Sequence, residues 1–394
     1  MVLNLRYQIQ SIRVRGPRTL LTIVGTGLVV AVFCYLLCLA DGLRRALARS
    51  GDPRNVVVLA EAATAESNSA VFHDDVHKLE GIPQVERDPS GRALVSPEVV
   101  VQINVTRQHD PGGAEASVVV RGVDPDVALQ VRPNVALRDG RWFAPGTDEL
   151  VVGRAATQQF NQMNLGATIA CGDRMFTVVG IFEASGGVHE SELWGYAPNV
   201  EAAFRRAAYS SATLRVPSAA AATVAGACER IAAAGIALRG VPEPAYFATQ
   251  AGNARMLEGL ALALVIVMGA AAGLAALNTM HAAVAGRTRE IGMLRAIGFS
   301  RSRIVLGILA ESLVIALAGG VLGCLACGLV ILLDHGAKDL VGTATFTSVA
   351  FTLGLSAANV ALSLSVAGVI GVLGGLWPAR TAGRLAVVEA LRSV

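Results

Sequence analysis

Four long stretches that are almost free of charged side chains most restrict how this chain can fold. A helix that crosses the hydrocarbon core of a bilayer needs about 20 consecutive apolar residues. The first, second and fourth stretches contain no Asp, Glu, Lys or Arg, whereas the stretch 304–333 contains one acid, Glu311. The last lies within the uncharged residues between Asp339 and Arg380. The predicted membrane helices are residues 19–40, 259–285, 304–333 and 349–376.

The layout is therefore one helix, a long polar segment and then three closely spaced helices. Only 16% of the 394 residues are charged and 53% are hydrophobic, whereas about a quarter of a soluble protein is charged. We predict an α-helical membrane protein with four transmembrane helices (1 + 3) and an α+β extracytoplasmic domain, 41–258, between helices 1 and 2. The remaining segments are the N-terminal segment 1–18, the loops 286–303 and 334–348, and the tail 377–394.

Arginine placement predicts the orientation of these helices. The N-terminal segment, the loop 286–303 and the tail together carry twelve arginines and two glutamates, whereas residues 41–258 have an excess of acids. Cytoplasmic loops carry the excess of basic residues, so we expect both termini inside and the large domain outside. Arg44, Arg45 and Arg49 oppose this trend, but long domains are translocated largely regardless of charge. The first apolar run is too long for a signal peptide, and we expect an uncleaved anchor.

The domain 41–258 alternates short β-branched runs with helical stretches and turn signals such as 88–91 and 110–113. Predicted helices are 74–80, 154–163 and 218–234, and residues 245–258 are expected to continue into the second membrane helix without a break. The predicted strands are 55–59, 99–105, 117–123, 149–152, 176–182 and 212–216.

No residue pattern in this domain predicts catalysis. His73 and His77 lie one helical turn apart, but the zinc-protease glutamate is absent, and a solvated helix face is the favoured interpretation. His109 and His189 have no nucleophile or ligand nearby in sequence.

The six cysteines divide into two groups. Cys171 and Cys228 lie outside the membrane, where a disulfide is permitted, although the sequence leaves this pairing open. The other four lie within membrane helices and are interpreted as small packing residues: Cys34, Cys38, Cys324 and Cys327. Glycine pairs four residues apart in helices two, three and four indicate close helix contacts, within one bundle or at a dimer seam. These pairs are Gly269/Gly273, Gly319/Gly323 and Gly371/Gly375.

The loop after the second membrane helix is the most informative segment. Ile291, Leu294 and Ile297 recur at helical spacing with arginines on the opposite side, and Gly298 follows as a C-cap. This pattern predicts a short amphipathic helix that lies on lipid headgroups or docks a soluble partner. Glu311, in the next helix, either pairs with a nearby arginine at the membrane interface or is a functional intramembrane acid.

In this loop the sequence resembles the FtsX/MacB-type permeases of ATP-binding cassette (ABC) systems. The loop reads Arg-Thr-Arg-Glu-Ile-Gly-Met-Leu-Arg-Ala-Ile-Gly over residues 287–298. Similar segments occur at 17–22, 137–141, 149–153, 176–181, 378–382 and 389–392. One departure is residues 386–388, Ala-Val-Val, where the family often has a proline. The resemblance implies a dimeric permease with a MacB-like periplasmic core domain in the bacterial inner membrane. It also implies that the loop is a coupling helix on a cytoplasmic ABC ATPase, through Arg287, Arg289, Glu290, Ile291, Met293, Leu294, Arg295, Ile297 and Gly298.

The ATPase is expected to be a separate chain that holds ATP and Mg, so no cofactor, metal or catalytic residue is assigned to this one. A phosphate-binding loop requires Gly-x-x-x-x-Gly-Lys-Ser/Thr, whereas neither lysine of this chain, Lys78 or Lys338, follows a glycine. No cytoplasmic segment is long enough for the output domain of a receptor kinase. Further expected partners are a second permease copy or homologue, the lipid bilayer and an extracytoplasmic adaptor or cargo protein, but no nucleic acid.

The sequence leaves the cellular role open between two functions of the same architecture. The first is the permease of an ABC export or extraction complex for a hydrophobic or amphipathic cargo, such as a lipoprotein, lipid, peptide or drug. The alternative is an FtsX-like regulator that transmits ATPase motion to a cell-wall hydrolase without transport. The full-sized outer domain favours transport. A proton-coupled transporter is disfavoured because it would need more intramembrane acids, and a passive membrane scaffold is the third hypothesis.

Overall fold

The structure is a computed structural model that describes residues 16–108, 115–231, 238–250, 252–333, 337–341 and 348–384. Within these ranges the chain alternates helices and strands as far as the second long helix, after which it is mainly helical. The helices are α1 Gly16–Ser50, α2 His73–Glu80, α3 Pro125–Val131, α4 Arg154–Gln159, α5 Ala197–Ala203, α6 Ala221–Ile231, α7 Glu243–Gln250, α8 Gly252–Ala285, α9 Thr288–Ala296, α10 Arg301–Leu333 and α11 Ala357–Arg384. The strands are β1 Asn55–Ala60, β2 Val95–Thr106, β3 Glu115–Val123, β4 Ala136–Gly140, β5 Glu149–Gly153, β6 Thr168–Cys171, β7 Arg174–Glu183, β8 Leu193–Tyr196, β9 Ser211–Arg215, β10 Leu238–Pro242, β11 Ala337–Val341 and β12 Ser348–Thr352.

The chain divides into two compact units. Of the described residues, the membrane unit comprises those within 16–41, 255–333 and 353–384, and the outer domain comprises those within 42–254 and 337–352. Among the described residues, four helices are long and apolar enough to cross a membrane, namely α1, α8, α10 and α11. The arginine-rich start 1–15 and the tail motif 389–392 lie outside the described residues.

The fourth membrane helix was predicted in the wrong place at both ends. Residues 348–352 form strand β12, which pairs antiparallel with β11 in a hairpin, and α11 begins only at Ala357. Ser356 sets this start, because its Oγ accepts a hydrogen bond of 3.2 Å from the Ala358 amide, as an N-cap does. At the other end the helix continues past residue 376 to Arg384, with Pro378 inside it. The predicted outer loop 334–348 accordingly contains β11.

The first helix is longer than its apolar run. The run stops at the charged residue Asp41, but the helix does not stop there. The helix continues to Ser50 with an amphipathic last section, in which Leu43, Ala46 and Leu47 are buried in the outer domain at helical spacing. At the start of the second span, the expected unbroken helix 245–258 is recorded as α7 and α8, and residue 251 between them lies outside the described residues.

The outer domain is built on one mixed ten-stranded sheet. Its order is β10-β1-β9-β2-β3-β8-β5-β7-β4, and β6 pairs with β7. The pairs β3/β8 and β5/β7 are parallel, and the other pairs are antiparallel. Sequence prediction missed β4, β6, β8 and β10. The end of the predicted helix 218–234 and the turn 110–113 lie outside the described residues.

Cys171 and Cys228 lie in two separate hydrophobic cores of this sheet, and this separation decides the cysteine question. Cys228 packs in the core beside α2 and α6, whereas Cys171 packs in the core beside α4 and α5. No disulfide joins these two described residues, so the pairing that the sequence left open is absent.

The glycine pairs place helix backbones in direct contact within one bundle. A Cβ added at Gly323 would lie 2.4 Å from the carbonyl oxygen of Gly27 on α1, and one at Gly375 would lie 2.6 Å from Cβ of Ser312 on α10. A Cβ at Gly374 would lie 3.1 Å from the Gly273 carbonyl oxygen on α8. The seams α1/α10, α10/α11 and α8/α11 thus use small residues to pack closely.

Candidate functional site: a short helix between two membrane helices

The loop between α8 and α10 forms the short helix α9, which is held against the ends of three membrane helices. Ile291 on its inner face is buried in a cluster with Val284 of α8, Ile304 of α10 and Ala382 of α11. Thr288 at its start donates a 2.8 Å hydrogen bond from Oγ1 to the Ala285 carbonyl. The helix is therefore fixed to the membrane unit by apolar packing on one side.

The end of α9 is a Schellman motif centred on Gly298. Gly298 has φ of +100°, a conformation that costs residues with a Cβ more than it costs glycine. Its amide donates to the Arg295 carbonyl at 3.1 Å, and the Phe299 amide donates to the Leu294 carbonyl at 3.1 Å. These two bonds satisfy carbonyls that a helix end otherwise leaves unpaired, so the chain can reverse direction into α10.

Two of the predicted partner-binding arginines are used inside the membrane unit. Arg287 donates a 2.9 Å hydrogen bond from Nη1 to Oε2 of Glu311, whose side chain is 9% exposed. Arg295 is half-buried and donates from Nη1 to the Gly383 carbonyl of α11 at 3.1 Å. The prediction that Arg295 lies on the exposed face is therefore wrong, since its side chain is directed to α11. For Glu311 the structure favours the ion pair over an isolated functional acid.

The exposed face of α9 combines charge with large apolar side chains. Arg289 and Glu290 are exposed, as are Met293 (47%), Ala296 and Ile297 (78%). At 100° per residue these five positions fall on one continuous arc of the helix, which we call the α9 stripe. The amphipathic pattern is thus displaced from the prediction: Ile291 is buried and Leu294 half-buried, but Ile297 faces outward.

A cavity of about 540 Å³ lies beside the stripe, between α8, α9 and the start of α10. Its wall is mainly apolar and includes Met280, Leu294 and Phe299, with Arg287 and Glu311 among its polar lining residues. Met293 and Ile297 belong both to the stripe and to the cavity wall. The surface offered to a partner is therefore concave on one side of α9.

In the outer domain, a buried ionic network surrounds Arg121, which is fully buried on β3. Its Nε and Nη2 donate to the two carboxylate oxygens of Glu192 at 2.8 Å each, and its Nη1 donates to Glu66 at 2.9 Å and to Glu98. Arg132 also donates to Glu98. This network has a structural role in the described domain, because it pairs buried charges that would otherwise be costly.

Glu243 extends this network to the two ends of the domain. It is the first residue of α7, and its Oε1 lies 3.6 Å from Nη2 of Arg132. Its Oε2 accepts bonds of 2.9 Å from the Asp52 amide and from Nδ2 of Asn55. The segment that follows α1 is thus tied to the segment that begins α7, near the places where the chain first enters and first leaves the domain, before it returns for residues 337–352.

The histidines form no shared site among the described residues. His73 lies 3.5 Å from Glu201 and its ring packs at a tilt against Tyr209, whereas His77 is exposed and lies 3.3 Å from Glu80. His189 is buried against Glu192 at 3.1 Å, and His109 lies outside the described residues. This arrangement agrees with the prediction of a solvated helix face for the first pair.

Two family models match the chain in succession. Residues 19–231 match the MacB-like periplasmic core domain, and residues 262–387 match the FtsX-like permease C-terminal domain. The chain belongs to the FtsX/MacB-type permease family. This confirms the resemblance inferred from the loop motif, and it makes the chain an ABC-type permease subunit, a membrane protein with an extracytoplasmic domain.

Relatives of this permease include one that matches over its full length and others that match in part. The uncharacterized ABC transporter permease YknZ of Bacillus subtilis is 23% identical over 99% of this chain and 98% of its own. The macrolide export ATP-binding/permease protein MacB of Bdellovibrio bacteriovorus is 36% identical over 35% of this chain. That match spans 19% of the MacB chain, so the chain covers under a fifth of the MacB relative.

Two solved structures are also similar to parts of the permease. The extracellular domain of the noncanonic ABC-type transporter YknZ from Gram-positive bacteria has 14% identity and a TM-score of 0.35, covering 48% of this chain and 99% of that one. The periplasmic region of MacB from Actinobacillus actinomycetemcomitans has 12% identity and a TM-score of 0.36, covering 50% and 92%.

Sequence reasoning missed two parts of these sites. Gly383 was not foreseen as a partner of Arg295, because a backbone acceptor 88 residues away leaves no signal in sequence. The network around Arg121 was also missed, although an arginine in the β-branched run 117–123 could have indicated a buried charge.

Proposed function

We propose that this permease couples ATP hydrolysis by a separate ABC ATPase chain, which holds ATP and Mg, to movement of its own extracytoplasmic domain. The cargo is hydrophobic or amphipathic, and the working unit is a dimer of permease chains. Both termini and α9 lie in the cytoplasm of a bacterium with this chain in its inner membrane. The MacB relatives are named for macrolide export, which favours export over regulation of a cell-wall hydrolase.

The α9 stripe is the observation that carries this proposal. It joins two opposite charges to two exposed apolar side chains on a helix whose inner face is buried against α8, α10 and α11. Interfaces with soluble partners combine such apolar anchors with arginine. Because α9 is anchored by packing rather than by a flexible tether, a displacement imposed on the stripe is transferred to the membrane helices.

The outer-domain network supports the second half of the proposal. Glu243, Asp52 and Asn55 tie together the entering and leaving segments of the chain. Movement of either segment would therefore move the other with it, and would reach strand β2 of the sheet through the contacts from Glu243 to Arg132 and from Arg132 to Glu98. A flexible connection between these two segments would not transmit such motion to the sheet.

The proposal is tested by recovery of the ATPase with the full-length permease from membranes of the cells that encode it. Reversing both charges of the stripe, Arg289→Glu with Glu290→Arg, should lower recovered ATPase activity about tenfold, equivalent to roughly 1.4 kcal/mol of binding free energy. The control is Lys78→Glu, a charge reversal on the exposed outer helix α2, which should leave recovery unchanged. Equal recovery with the stripe variant would overturn the docking assignment.

Orientation is tested by reporters that are active only outside the cytoplasm. Fusions at sites between residues 60 and 240, or near Lys338, should be active, whereas fusions at Thr288 or after Val394 should be inactive. Activity at Thr288 would place α9 outside and exclude contact with a cytoplasmic ATPase. Export and hydrolase regulation are distinguished by identifying the protein that is recovered together with the outer domain. Recovery of a cell-wall hydrolase would favour the regulatory function.

A further inference from the structure

Three cysteine side chains meet inside the membrane unit, although they come from helices far apart in sequence. Cys34 and Cys38 lie one turn apart on α1, and Cys327 lies on α10. All three are buried, and their Sγ atoms lie within 4.8 Å of one another. The cluster contributes nothing to the α9 stripe or to the outer-domain network.

The glycine seam between α1 and α10 brings these short side chains together. A Cβ at Gly319 would lie 2.7 Å from the carbonyl oxygen of Ile23, and one at Gly323 would lie 2.4 Å from that of Gly27. The two backbones are therefore in contact just before the cysteines. Because residues four apart lie on one helix face, α1 presents Cys34 and Cys38 together to Cys327.

Polar side chains of α11 complete the surroundings of the cluster. Asn359 donates from Nδ2 to Sγ of Cys38 at 3.8 Å. Ser363, one turn further along, is fully buried, and its hydroxyl lies within hydrogen-bonding reach of the Cys34 thiol. Two oxygen- or nitrogen-bearing side chains of α11 therefore border the three sulfurs.

We propose that Cys34, Cys38 and Cys327 form a binding site for one soft divalent d¹⁰ cation of the Zn(II) and Cd(II) class. Thiolate sulfur is the donor that such ions prefer. A metal–sulfur distance of about 2.3 Å places two sulfurs of a tetrahedral site about 3.8 Å apart, which is compatible with the observed spacing. Ser363 or Asn359 can supply the fourth, oxygen ligand.

Charge balance favours a divalent ion over a monovalent one in this place. The adjoining stretches 24–40, 312–333 and 357–377 contain no Lys, Arg, Asp or Glu, so an uncompensated charge would be costly at this depth. Cysteine binds such ions as the thiolate, so all three cysteines lose their protons to water on binding, and a divalent ion leaves a net charge of −1 where a monovalent ion would leave −2. Binding should therefore release three protons per ion and weaken as the pH falls.

The test divides the six cysteines into two sets of three. One full-length variant keeps the cluster and carries Cys171→Ala, Cys228→Ala and Cys324→Ala. The matched variant carries Cys34→Ala, Cys38→Ala and Cys327→Ala. Each is purified in detergent under reducing conditions and titrated with Cd(II), while the ultraviolet thiolate-to-cadmium absorption, the proton release and the unfolding temperature are measured.

We expect one Cd(II) per chain, three released protons and a raised unfolding temperature for the wild type and for the variant that keeps the cluster. The variant without the cluster should show none of these. If the variant without the cluster is misfolded, the single variant Cys38→Ser is used in its place, and it should bind Cd(II) at least tenfold more weakly than the wild type. Equal binding by the variants with and without these thiols, or no binding by a folded chain that keeps them, would overturn the site and leave packing as the role of the cluster.

Discussion

The guanidinium of Arg287 donates a 2.9 Å hydrogen bond to the carboxylate of Glu311 and so joins the start of α9 to α10. Residues 24 positions apart are thereby held at the edge of the cavity beside the α9 stripe. Because Glu311 is nearly buried, its charge depends on this arginine for compensation.

We expect Arg287→Ala to destabilise the membrane unit by about 1–3 kcal/mol, because it leaves a buried carboxylate without its cation. The double variant Arg287→Ala with Glu311→Gln should recover most of this loss, since the uncompensated charge is then removed. The thermal unfolding midpoint of the detergent-solubilised chain measures both effects. Additive losses in the double variant would show that the pair is not coupled.

The glycine seam gives a prediction with a control on the same helix. Gly323→Ala places a methyl group 2.4 Å from the Gly27 carbonyl oxygen, so α1 and α10 must separate, and we expect a loss of about 1–3 kcal/mol. Gly307→Ala meets no atom within 4 Å and should be neutral or stabilising by up to about 1 kcal/mol. Equal changes in the unfolding midpoint of the two variants, relative to the wild type, would contradict the close contact between α1 and α10.

Local signals foretold the membrane spans and most of the helix α9, because both depend on residues close in sequence. The Gly298 turn was predictable for the same reason. An arginine partner for Glu311 was foreseen, but its identity was not, because Arg287 lies 24 positions away. The start of α11 was not, because residues 349–356 are as apolar as a membrane helix and only the N-cap Ser356 marks the boundary. A search for caps inside the uncharged run could have found it.

The outer sheet was less predictable because its register depends on distant partners. Strand β8 has four residues and pairs with β3 and β5 from different parts of the chain, so no periodic pattern develops within it. The stripe on α9 was displaced for a similar reason: Arg295 turns inward to reach Gly383, and Ile297 remains outside. Which side of a short amphipathic helix is buried depends on the packing of its neighbours.

The buried carboxyls make the outer domain sensitive to acid. Burial alone would raise the pKa of Glu98 and Glu192, but the charges of Arg132 and Arg121 for Glu98, and of Arg121 for Glu192, outweigh it and hold each pKa below its usual value. Their stabilising contribution is therefore present above the unfolded glutamate pKa of about 4.3 and is lost as the pH falls through the folded values. Burial raises the pKa of Glu243 instead, so its contribution changes in the opposite sense and is lost as the pH rises.

Trp194 can report this transition, because its indole Nε1 donates to Glu192 at 2.8 Å. In a chain with Trp142→Phe and Trp377→Phe, the denaturant midpoint from Trp194 fluorescence should fall steadily below about pH 4. Glu192→Gln should lower the midpoint at neutral pH and flatten its acid dependence, since one of the titrating carboxyls is gone. If the denaturant midpoint of that variant depended on pH as steeply as that of the parent chain, Glu192 would not be one of the carboxyls responsible for the acid sensitivity.

The central claim is that the α9 stripe contacts the partner ATPase, and site-specific photo-crosslinking at Met293 tests it most directly. The control is the same photo-reactive side chain at Met256, a more exposed methionine near the start of α8, roughly 40 Å along the helix from its far end. In native membranes, the residue at 293 should form a product that contains an ATP-hydrolysing subunit, and the residue at 256 should not. An ATPase product at 256 but not at 293, or at neither position while the complex is intact, would contradict the account.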